Sequence, residues 1–81
     1  MLIYKKKYFL IIESIKDIDL SNIKILKKFI IIYRNNKKVE NINKLLEFRK
    51  QCKIKNIEFY VSNDIKLMVN LKADGIYISA H

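Results

Sequence analysis

The sequence predicts a small parallel α/β domain, and three observations carry that prediction. Four short apolar runs recur along the chain: YFLII (8–12), FIIIY (29–33), IEFYV (57–61) and GIYIS (75–79). The first three are nearly continuous rather than alternating, the pattern of strands buried on both faces of a parallel sheet. Residues with helical spacing lie between the later runs, so the order reads β-α-β-α-β-α-β. Parallel strands joined by right-handed crossovers follow from that order.

Taken in order, YFLII ends at Glu13 and is the first strand. The next stretch, LSNIKILKK, allows a short helix starting near Ser21, although Ile23 and Ile25 equally suit an extended segment. FIIIY is the second strand. Beyond it Val39, Ile42, Leu45, Leu46, Arg49 and Cys52 follow steps of three and four. They draw one stripe on a helix of about four turns, with Glu40, Lys44, Glu47 and Lys50 outside. IEFYV is the third strand, and Ser62-Asn63-Asp64 then precedes a shorter helix marked by Ile65, Met68, Val69 and Lys72. That helix stops at Ala73-Asp74-Gly75, where Gly75 is expected to supply the left-handed end. A repeated βα unit of this length fits either a flavodoxin-like sheet or part of a (β/α)8 barrel.

The chain has 81 residues, 51% hydrophobic and 31% charged, with no proline. This is globular composition for a single domain, residues 1–81, with a modest core. The net charge of +9 invites a nucleic-acid reading, yet fifteen of the seventeen basic residues are Lys, scattered through every segment. Only Arg34 and Arg49 offer the fork that phosphate and base readers favour. Ile and Asn are also abundant, so a shared bias towards Ile, Lys and Asn accounts for the charge more readily than a polyanion partner does. A small basic nucleic-acid-binding module remains a rival reading, with Tyr4, Tyr8 and Tyr33 as its stacking residues. A flavodoxin-like interaction domain without catalysis is another, and it requires a sheet covered by helices on both faces.

Cys52 is the sole cysteine, which excludes an internal disulfide and a Cys-rich zinc site and suits a small apolar residue on a helix face. No segment approaches the ~20 apolar residues of a spanning helix, and the run at 8–12 is too short for a signal peptide. A soluble, cytoplasmic protein without membrane contact is expected.

In either architecture ligands bind at the carboxyl ends of the strands. The polar residues there are Glu13 and Ser14, Arg34, Asn35 and Asn36, Ser62, Asn63 and Asp64, and Ser79 to His81. Arg34 stands at the rim of the core if Ile30 and Ile32 face the interior. Lys37 and Lys38 open the connection to the long helix, where a bound anion would relieve their conflict with the positive helix end. Asn63-Asp64 is sufficient as a helix cap, and a helix start with a carboxylate can also hold a diphosphate with Mg2+. Both readings stay open on the residues alone.

The stretch from Phe29 to Ser79 resembles the early part of the thiamine-phosphate synthase and TenI-type thiazole tautomerase family. In that family a strand ends in Gln-Xaa-Arg, the next strand ends in Asn-Asp, and Ala-Asp-Gly leads into a strand written Gly-Val-His-Leu-Gly. The matching text here is Ile32-Tyr33-Arg34, then Ser62-Asn63-Asp64, then Ala73-Asp74-Gly75-Ile76-Tyr77. The resemblance implies half of a (β/α)8 TIM barrel, as a truncated or degenerate form. It implies coupling of hydroxymethylpyrimidine diphosphate with thiazole phosphate in thiamine biosynthesis, with Arg34, Asn63, Lys37 and Lys38 on the diphosphate and Asp64 on Mg2+. Its partners would be a phosphorylated small molecule and, for an isolated half, another copy or a complementary half barrel. Ile32 replaces the family Gln, Asn36 a Lys and Tyr77 the His, and strands five to eight are not in this sequence. The 81 residues alone are therefore expected to lack the complete reaction.

Overall fold

The structure is a computed structural model and describes residues 7–22, 28–35 and 40–78. Its elements are β1 (Lys7–Ile12), β2 (Lys28–Tyr33), α1 (Ile42–Ile54), β3 (Glu58–Ser62), α2 (Ile65–Leu71) and β4 (Gly75–Tyr77). The strands form one all-parallel sheet in the order β1-β2-β3-β4. Flavodoxin-like order would set β1 between later strands, so a flavodoxin-like sheet is excluded.

Alternation along each strand assigns the two faces of the sheet. Ile12, Ile31, Tyr33, Phe59 and Val61 share one buried cluster with Leu45, Phe48 and Cys52 of α1 and Leu71 of α2. Both helices therefore lie on the same face, as right-handed crossovers between sequential neighbours require. Phe48 meets Phe59 edge-on at 5.8 Å between ring centroids, and Tyr33 stacks on Phe59 at 6.2 Å. The opposite face carries Phe9, Ile11, Ile30, Ile32, Tyr60 and Tyr77, and no helix of the described residues covers it.

This corrects the expectation of strands buried on both faces. Only β2 has a continuous buried run, Ile30 to Tyr33, preceded by the partly buried Phe29. In β3 burial alternates, and in β1 every residue from Tyr8 to Ile11 is exposed. Continuous apolar text marks β2 because it is central, and β1 carries the same text at an open edge.

The helices follow local chemistry. Asn41 caps α1, its side-chain oxygen accepting from the N–H groups of Asn43 at 2.8 Å and Lys44 at 3.4 Å. The buried stripe is Leu45, Phe48 and Cys52, so Leu46 and Ile42, assigned to it from spacing, are exposed instead. Val39 lies outside the described residues. Burial raises the Cys52 thiol to about 12, against a small lowering by nearby Arg49, so it is an inert packing group. Between β1 and β2 lie two short 3-10 turns, Ile15–Asp17 and Leu20–Asn22, the second at the start of the stretch read as either a short helix or an extended segment; residues 23–27 of that stretch lie outside the described residues. Ser14 and Asp17 form a capping box on the first turn.

The end of α2 also differs from expectation. Lys72, at φ 50° and ψ 46°, is the left-handed terminator, and Gly75 has no positive φ. Gly75 is a strand residue whose missing side chain leaves room for Tyr60 on the neighbouring strand. The Asp74 carboxylate accepts from the Phe59 N–H at 2.8 Å and from the Arg49 guanidinium at 3.3 Å, and Arg49 Nε also donates to the Lys72 carbonyl at 3.1 Å. Arg49 thus ties α1 to the turn between α2 and β4.

Candidate functional site at the strand ends

Parallel strands place all their carboxyl ends on one edge of the sheet, and that edge gathers most of the polar residues singled out in the sequence. Arg34 follows β2 directly, is exposed, and its backbone N–H donates to the Ile12 carbonyl at 2.8 Å, carrying the β1–β2 ladder one step past the strand. Tyr33 pairs with Val61, so Arg34 stands level with Ser62. Ser62 in turn pairs with Tyr77 of β4. The register thus brings Arg34, Ser62 and Tyr77 into one row.

Ser62 is the unexplained member of that row. Its hydroxyl oxygen is buried and makes no hydrogen bond, although a hydroxyl can both donate and accept. One step further, Asn63 takes φ 56°, a conformation Asn tolerates better than most residues, and its N–H donates to the Tyr77 carbonyl at 3.0 Å. This left-handed residue turns the chain out of β3 and binds it to β4. Asp64 then caps α2, with Oδ1 accepting from the Leu67 N–H at 3.0 Å. The capping role expected of Asp64 is present, and Asn63 is a turn residue rather than the cap. Lys37, Lys38, Asn36 and Ser79 to His81 lie outside the described residues.

The donor set bears directly on Mg2+. Among the described residues no group of three or more His, Cys, Asp and Glu side chains is placed to hold a metal ion. Asp64 has one oxygen engaged in the cap. A single free carboxylate oxygen does not make a protein cage, but Mg2+ commonly keeps several waters and takes its other ligands from substrate phosphates. The residues fit a cation that arrives with a diphosphate and do not fit a resident ion.

A second polar cluster, beside the ends of β1 and β2 on the helix face, was not foreseen. Glu40, expected to point outward from the helix, instead precedes the cap of α1 and turns inward. Its carboxylate accepts from Tyr33 OH at 2.5 Å, Ser14 Oγ at 2.8 Å and the Ile15 N–H at 3.2 Å. Asn35 Nδ2 donates to Tyr33 OH at 2.9 Å. Burial is the largest influence on Glu40 and opposes its charge, yet the donors from Tyr33, Ser14, Ile15 and Asn35 together hold its pKa below the ordinary value. Burial first, and then the hydrogen bond to Glu40, push Tyr33 up to about 12. With its donors matched to its acceptors, this cluster fixes the ends of β1 and β2, and so the place where Arg34 leaves the sheet.

Of the aromatic residues considered for base stacking, two are described. Tyr33 is buried, and Tyr8 packs against Phe29 at 5.8 Å between ring centroids. Tyr4 lies outside the described residues. No helix among the described residues is long and apolar enough to cross a membrane. No model of a known protein family, no curated protein and no solved structure matches this chain.

Proposed function

We propose that the chain is the first half of a (β/α)8 barrel of the thiamine-phosphate synthase type, and that its strand ends bind the diphosphate of a phosphorylated small molecule. The observation that carries this reading is the sheet itself: four parallel strands in the order 1-2-3-4, with both helices on one face. In barrels of that build the carboxyl ends of the strands hold the ligand, and here those ends carry Arg34, Ser62, Asn63 and Asp64.

Arg34, exposed at the end of β2, supplies a cation for phosphate oxygens, and the unpartnered Ser62 hydroxyl level with it supplies a donor. Asp64 contributes one oxygen to a Mg2+ ion held mainly by the diphosphate and by water. Lys37 and Lys38 extend the cationic supply on the connection after Arg34. In the parent reaction the leaving diphosphate gathers negative charge, which cations and donors of this kind stabilise. The 81 residues provide this binding half and not the complete coupling reaction.

Calorimetric titration of pyrophosphate with and without Mg2+ tests the reading. Wild type is expected to bind weakly and more tightly with Mg2+. Arg34→Ala should lose binding in both conditions, and Asp64→Ala only its Mg2+-dependent part. Absence of Mg2+-sensitive binding in folded wild type would overturn the reading and leave Asp64 as a cap, where its loss costs about 0.5 to 2 kcal/mol of stability.

A further inference from the structure

Large apolar side chains are exposed along both edges of the sheet, as they also are on the outer sides of α1 and α2. On β1, Phe9 and Ile11 are 66% and 51% exposed on the face without helices, and Tyr8 and Leu10 are 38% and 36% exposed on the other. At the β4 edge Tyr77 and the following Ile78 are 41% and 77% exposed. A parallel edge strand also presents unpaired N–H and C=O groups, and beyond Lys7 at its start β1 has neither a proline nor a charge from Tyr8 to Ile12.

We infer that two copies of the chain join the β1 edge of each to the β4 edge of the other and close an eight-stranded parallel barrel about a two-fold axis. The inference rests on the half-barrel part of the proposed function and not on the diphosphate site. Three observations favour a second copy as the occupant. First, a β1-to-β4 contact is heterologous, and such contacts close only when the rotation per copy divides a full turn. The four strands of the described residues are half of the eight that close a parallel barrel, so one further copy completes it. Second, a bound peptide strand would cover one edge, whereas a second copy covers both. Third, the face that would become the interior carries Phe9, Ile11, Ile30, Ile32, Tyr60 and Tyr77, with Glu58 the charged residue among its described side chains.

The area suffices for a stable pair. The six exposed edge side chains of each copy, Tyr8, Phe9, Leu10, Ile11, Tyr77 and Ile78, with on the order of 100 Å² exposed apiece, bring the two seams to about 1,200 Å², the lower end of specific interfaces. Closure also sets the strand ends of both copies around one rim, so that Arg34 and Asp64 of each copy occupy opposite halves of it. Two chains of charge +9 repel each other, so association should strengthen as salt screens them. Binding to a polyanion has the opposite dependence.

Sedimentation velocity from about 1 to 100 µM, a range that resolves micromolar dissociation constants, is the test. The expected result is a dimer that persists to the highest concentration and tightens with added NaCl. Ile11→Glu should give a monomer with an unchanged helical circular dichroism spectrum, and Ile54→Glu, at a still more exposed apolar position on α1, should leave the dimer intact. Should Ile11→Glu fail to fold, hydrogen exchange on wild type replaces it: β1 amide protection should rise with protein concentration. A wild type that stays monomeric, oligomers that grow beyond two, or a dimer broken by Ile54→Glu and not by Ile11→Glu would each overturn the inference. Pyrophosphate titration of the same samples separates the two proposals, since a binding monomer refutes only the dimer and a non-binding dimer refutes only the site.

Discussion

The Tyr33 hydroxyl donates to Glu40 Oε1 across 2.5 Å, joining the last residue of β2 to the residue that precedes the cap of α1. The same carboxylate holds Ser14 and Ile15 after β1, so one side chain fastens two strand ends and a helix start. A hydrogen bond to a charged partner contributes more than a neutral one, about 1.5 to 3 kcal/mol. Glu40→Gln should therefore destabilise the fold by about 1 to 2 kcal/mol, and Tyr33→Phe by about 1 kcal/mol. Chemical denaturation of both variants and the double mutant checks this, the two losses being non-additive because they remove the same bond.

The same pair sets a dependence on pH with a sign at each end. Glu40 has a lowered pKa in the folded state, so its contribution is present at neutral pH and is lost as pH falls through that lowered value. Tyr33 is raised from 10.0 to about 12, so its contribution is complete below 10.0 and is lost as pH rises through about 12. Thermal melts should be flat through neutrality and fall at both extremes. Glu40→Gln should reduce the acid loss and Tyr33→Phe the alkaline loss.

A side chain at Gly75 would collide with its neighbour, because a Cβ built there lies 2.8 Å from Tyr60 Cε2 and 3.1 Å from Cδ2. The Tyr60 ring is held by its hydroxyl, which donates to Glu58 at 3.0 Å, so it does not swing away freely. Gly75→Ala should destabilise by about 1 to 3 kcal/mol through overpacking. In a Tyr60→Ala background the same change should be close to neutral, and denaturation curves of the four proteins measure the difference. A penalty that survives removal of the ring would place the cause in the backbone instead.

Lys72 closes α2 in the left-handed region without the freedom of glycine. A residue with a Cβ is disfavoured there by about 1 to 2 kcal/mol relative to the right-handed conformation. Lys72→Gly should therefore stabilise the protein by about 0.5 to 1 kcal/mol, the reverse of glycine's usual effect in a helix. A melting temperature that falls on this substitution would contradict the assignment.

Strand positions and the parallel order were legible in the sequence because buried strands write continuous apolar text and because βα alternation leaves few topologies. The side of coverage was not legible, since Phe9 and Ile11 read the same whether they face a helix or an open surface. The stripe of α1 was read partly off course: Leu46 fits the spacing as well as Phe48 does, and only the ring of Phe59 across the layer decides between them. At the strand ends the positions of Arg34 and Asp64 followed from where the strands stop. Glu40 did not, because its partners Ser14 and Tyr33 lie across a turn and on another strand, and no local period links them. Gly75 was legible as a special position, but its reason is a neighbour's ring and not its own backbone angles.

The sequential order of the sheet has a consequence for how the chain acquires its structure. Each strand pairs with the one made just before it, across connections spanning residues 13–27, 34–57 and 63–74, so no pairing awaits a distant segment. Short loop closures of this kind keep contact order low for a parallel sheet and speed its formation. During synthesis β2 can lay itself on β1, and β3 on β2, as each clears the ribosome, leaving one growing edge exposed at every stage. The first edge, β1, is exposed from the beginning to the end of that process, which makes it the surface most in need of an early partner.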